Sequence, residues 1–132
     1  MDRSQATRDA AEVLRCALAG QGDEVAGRFG ALVAREGVAG AYDVAWCLAG
    51  SAVGDDLPRG GWTLDFPDIE GACYETRWVA RFLSAYANAD AATGSALFLA
   101  AEADGRLDRC LLTLAGSAAA TIRRRSSGGG PA

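Results

Sequence analysis
The sequence predicts an all-α protein, a compact bundle of about six helices, and three observations lead there. Half of the 132 residues are hydrophobic, enough to build a core in one domain. About a fifth are alanine, the strongest helix former, whose small side chain lets helices approach closely. Apolar residues recur every three or four positions along most of the chain, the period of one helix face.

The first helix is expected over residues 4–19, with Ala10, Val13, Leu14, Ala17 and Leu18 on one face. Ser4 or Thr7 can cap its start, and Gly20 and Gly22 end it. Asp23 caps a second helix reaching residue 36, with Val25, Phe29, Leu32 and Val33 inward and Gly37 as its stop. A third spans 38–53, carrying Tyr42, Ala45, Trp46, Ala49 and Val53 in register. Residues 54–70, GDDLPRGGWTLDFPDIE, break the pattern, because Pro58, Gly60, Gly61 and Pro67 forbid a continuous helix.

A fourth helix follows over 71–87, capped by Asp68, with Tyr74, Trp78, Val79, Phe82 and Tyr86 as a bulky face. Asp90 caps a fifth that ends near Ala103, and Asp104-Gly105 makes a turn. The sixth covers 106–125, with Leu107, Leu111, Leu114, Ala115, Ala118 and Ile122 in phase. Residues 126–132, SSGGGPA, have the composition of a disordered tail.

The expected organisation is one helical domain, 1–125, with halves 1–54 and 71–125 joined by the loop 55–70. The halves look alike. ALAGQGDEVAGRFGALVA at 17–34 can be laid on SAYANADAATGSALFLAA at 84–101, and LAGSA occurs at both 48–52 and 114–118. Asp23 then meets Asp90, and Gly27 meets Gly94. Internal duplication into two three-helix units and chance similarity in an alanine-rich chain are both consistent with this. Glycine inside a helix costs about 1 kcal/mol. Gly27, Gly50, Gly94 and Gly116 are therefore expected at close helix contacts.

Absences exclude more chemistry than any motif suggests. There is no His, and all thirteen basic residues are Arg. Histidine general bases, Ser-His and Cys-His pairs and histidine metal ligands are excluded, as are a Walker lysine and a Schiff-base lysine. Cys16, Cys47, Cys73 and Cys110 form no CxxC pair, so free thiols are expected rather than a zinc site. PRGGW lacks the GK[ST] of a phosphate loop. The net charge of −4 disfavours nucleic acid. No apolar stretch reads as a signal peptide or membrane span, so a cytoplasmic protein is expected.

Four constellations remain. Asp55, Asp56, Asp65, Asp68, Glu70 and Glu75 crowd one stretch, read as solvated and capping acids, with a hard-cation site as the alternative. Trp62, Leu64, Phe66 and Ile69 either plug the bundle or form a protein-contact patch. Tyr42, Trp46, Trp78 and Arg81 are candidates for a pocket between helices, against a bland reading of the aromatics as core and of Arg77 and Arg81 as partners of Glu75. Arg123, Arg124 and Arg125 suit a helix C-terminus.

The function these features favour is a non-enzymatic cytoplasmic helical protein acting through protein–protein contact, with a homodimer as one form, no cofactor and no metal. The alternatives are a small-molecule-binding protein or enzyme using carboxylate, Tyr or Arg groups, and a weak nucleic-acid-associated regulator using the arginine cluster.

Overall fold
Helix formers, glycine punctuation and apolar stripes produce five helices in the computed structural model, which describes residues 3–53 and 73–128. They are α1 (Arg3–Leu18), α2 (Gly22–Val53), α3 (Tyr74–Ala87), α4 (Ala91–Ala103) and α5 (Leu107–Gly128). No strand occurs among the described residues.

The count is five rather than six because the expected second and third helices join end to end. Gly37 does act as the breaker, with φ 77° and ψ −177°. That combination is open essentially to glycine alone. Helix resumes at the next residue, so α2 has two arms, 22–36 and 38–53, meeting at one non-helical residue.

Three other junctions share one closure. At Gly20, Ala89 and Gly105 the chain turns left-handed, with φ of 76°, 55° and 69°. In each, the next amide reaches back five residues: Gln21 to the Cys16 carbonyl, Asp90 to Ala85 and Arg106 to Ala101. This is the Schellman end, which satisfies carbonyls the helix leaves open. At 89 an alanine does a job that suits glycine.

Two ends differ from expectation. The Asp68 cap lies outside the described residues, and α3 starts at Tyr74 with Cys73 at its cap position. Helix α5 runs to Gly128, three residues into the stretch expected to be tail.

All five helices contribute to one hydrophobic core. Helix α1 packs on α2 and α5, while α3 packs on α4, α2 and α5. Alanines Ala41, Ala45, Ala49 and Ala52 of α2 and Ala115, Ala118 and Ala119 of α5 are buried, and the two helices pack against each other. Among the described residues the largest fully buried side chains are Phe82 and Phe98, each worth roughly 1.5–3 kcal/mol of transfer free energy.

The four paired glycines separate into two kinds. A Cβ on Gly94 would lie 2.5 Å from Trp46 Cζ3, and one on Gly50 would lie 2.7 Å from Tyr86 Oη. Gly27 and Gly116 meet nothing within 4 Å. Close approach therefore explains Gly50 and Gly94 but not the residues aligned with them, a correction to the idea that all four mark helix contacts.

Candidate functional site
The sequence-derived candidates fall in different places. Trp62, Leu64, Phe66 and Ile69 lie outside the described residues, as do Asp55, Asp56, Asp65, Asp68 and Glu70. Tyr42, Trp46 and Trp78 come together in an aromatic cluster that Phe82 unites. Trp78 stacks on Phe82 with centroids 4.7 Å apart. Trp46 meets Phe82 edge-on at 5.7 Å, and Tyr42 stacks on Trp46 at 5.7 Å. Phe98 closes the cluster, 5.5 Å from Tyr42. Edge-on and offset pairs at these distances suit the ring quadrupoles, and the rings fill the space between α2, α3 and α4.

The polar tips of the cluster fasten α4. Trp78 Nε1 donates to the Leu97 carbonyl at 2.8 Å, and the Tyr42 hydroxyl donates to the Ala91 carbonyl at 3.3 Å. Burial and the neighbouring Asp43 and Asp90 carboxylates hold the Tyr42 phenol above its ordinary value, so it stays a donor. At the far end of α4, Tyr74 donates to Asp104 at 2.8 Å. Helices α3 and α4 therefore run antiparallel, with Tyr74 beside the C-terminal end of α4.

Arg81 faces outward. A groove of about 290 Å³ runs between α3 and α4, lined by Arg77, Trp78, Arg81, Leu97, Ala100 and Asp104, with Tyr74 at one end. Arg77 and Arg81 are exposed. Their expected partner, Glu75, pairs instead with Arg106 at 3.5 Å, and Arg106 also lies over the Tyr74 ring. Neither Arg77 nor Arg81 forms an ion pair among the described residues.

Beside that groove lies a feature the sequence reading missed. Helix α4, AATGSALFLAAEA, buries only Gly94, Phe98 and Ala101. Its outward residues Ala92, Ser95, Ala96, Leu99, Ala100 and Ala103 are exposed, and no charge occurs between Asp90 and Glu102. Leu99 is 57% exposed, against 40% for Leu112 and 36% for Leu18, the other exposed large apolar side chains among the described residues. A helix apolar all round is normally covered on more than one side. The uncharged run 91–101 was the signal available in the sequence. On the opposite flank of α4, a groove of about 460 Å³ is lined by Val33, Val38, Glu102, Leu107 and Asp108.

Cys16 and Cys110 are buried and Cys73 is exposed, all as free thiols. Arg28 donates to Cys16 Sγ at 3.3 Å and pairs with Glu12 at 3.0 Å. Among the described residues no three potential metal ligands cluster, and no helix is long and apolar enough to cross a membrane. Arg123 donates to the Ala17 and Leu18 carbonyls. It thus complements the C-terminus of α1 rather than that of its own helix, while the side chains of Arg124 and Arg125 lie outside the described ones. Comparison with protein-family models, curated proteins and solved structures finds no match to this chain.

Proposed function
We propose that this chain is a non-enzymatic cytoplasmic module that works by protein–protein contact, and that its working surface is the outer face of α4 with the flanking α3 groove. One observation carries the reading: α4 is anchored by Phe98, Ala101 and two aromatic hydrogen bonds, yet its other side presents a mostly apolar face with Leu99 57% exposed and Glu102 as its one charge. Single exposed leucines are ordinary, whereas a contiguous apolar face marks an interaction site. Two arginines without acid partners among the described residues border it, and an apolar centre with an arginine-bearing rim is the usual anatomy of an interface. The absence of His and Lys speaks against most catalytic alternatives.

The test is Leu99→Glu. The outward position predicts unchanged helicity and Tm, with loss of the proteins that the wild-type chain retains from an extract of its native cell. Retention of the same proteins by both chains would refute the assignment of this face.

A further inference from the structure
Resting on that reading, we infer that the partner of the α4 face is a second copy of this chain, with the two α4 helices packed antiparallel about a two-fold axis. The face is complementary to itself. Leu99 is its only large apolar side chain, Glu102 stands one turn further on, and the other exposed positions around it, Ala92, Ser95, Ala96, Ala100 and Ala103, are small. An antiparallel pair sets each leucine over the small residues of the other helix, so knobs meet holes and not each other. A two-fold contact requires this property, because one patch must serve as both halves of the interface.

The charges select the direction. Because Tyr74 bonds to Asp104 and Trp78 to Leu97, Arg77 lies along the C-terminal half of α4. An antiparallel second helix brings its N-terminus, and with it the partner's Asp90, to that end. Arg77 has no acid of its own among the described residues. Glu102 and Asp104 stand at the same end, and Arg77 offsets the addition of a third carboxylate. A parallel pair would set the two Asp90 groups side by side, farther from Arg77.

Helix α4 has 13 residues and so spans about 20 Å at roughly 1.5 Å per residue. One such helix pair with its rims makes an interface at the small end of the stable range, on the order of 1,000 Å² in total.

Sedimentation velocity of the full chain from about 1 to about 500 µM tests this. The expected result is a monomer–dimer equilibrium abolished by Leu99→Glu at unchanged circular dichroism. Arg77→Gln and Asp90→Asn, the latter keeping an oxygen to cap α4, should each weaken the dimer about three- to tenfold. The double variant should be no weaker than the worse single, the signature of a direct pair. Strictly additive losses would overturn the antiparallel arrangement. A strict monomer would overturn the second copy as partner. Captures from native-cell extract with wild-type and L99E bait separate the two levels: a monomer with Leu99-dependent capture fails only the present inference, and a monomer without it fails the contact surface as well.

Discussion
At the scale of single residues, the molecule distinguishes glycines that are required from glycines that are merely present. The absent Cβ of Gly94 leaves room for Trp46, which is held among Tyr42, Phe82 and Tyr86. Gly94→Ala is expected to lower stability by about 1–3 kcal/mol, the usual cost of overpacking. Gly116→Ala and Gly27→Ala sit in open space and should each add about 0.5–1 kcal/mol by helix propensity alone. Ala89→Gly should also stabilise, because a left-handed alanine costs roughly 1–2 kcal/mol that glycine does not. Urea denaturation of the four variants checks the signs.

The thiols make a second residue-scale prediction. Burial pushes the Cys110 thiol up to about 12, whereas an unfolded cysteine titrates near ~8.5. The folded chain therefore keeps a proton that the unfolded chain releases. Stability attributable to this group is intact below pH ~8.5 and falls as pH rises from there toward about 12. Cys110→Ala should flatten that part of the pH profile. Cys73 is exposed, and its bond with Thr76 holds its thiol below the ordinary value. It should react first with a thiol reagent, while Cys110 waits for unfolding.

At the scale of elements, caps and breaks decide where helices stop. Asp90 accepts from the Thr93 amide at 3.1 Å and from its hydroxyl at 2.6 Å, which holds its carboxyl below the usual range. A carboxyl with a depressed folded pKa stabilises above its unfolded value, near ~3.9. That contribution disappears as pH falls through the lower folded value, and Asp90→Asn should remove this acid dependence from α4. Gly37→Ala should cost about 1–3 kcal/mol, because its φ of 77° with ψ of −177° is strained for any residue with a side chain. Most of this level was legible in the sequence, since periodicity located the helical segments and glycines marked their ends. The union of two segments into α2 was not legible: a glycine that stops a helix and one that only breaks its direction look alike in one dimension. The α4 face was hidden for a related reason, because periodicity finds stripes and α4 has none.

At the scale of the whole molecule, the parts of one core come from distant stretches of chain. The aromatic cluster joins Tyr42 and Trp46 to Phe82 and Phe98. Sequence spacing could show these rings as helix-face residues but not that they would interlock, because ridge-into-groove partners are chosen in three dimensions. The candidate pocket divided for the same reason: Tyr42 and Trp46 joined the aromatic cluster, while Trp78 belongs to that cluster and also lines the outer groove with Arg81. Arg123 shows a longer reach, since it bonds to carbonyls more than a hundred positions earlier. Arg123→Ala should speed amide exchange at the C-terminal turn of α1 while leaving α4 unchanged, and exchange mass spectrometry would show it.

The two crowded glycines also have a meaning in inheritance. A position where the smallest possible side chain already touches an aromatic ring offers evolution no neighbouring step, whereas one facing open space can drift. Lineages that carry this protein should therefore keep residues 50 and 94 while 27 and 116 wander, so that the contact pattern around Trp46 and Tyr86 could be read from descendants' genomes alone.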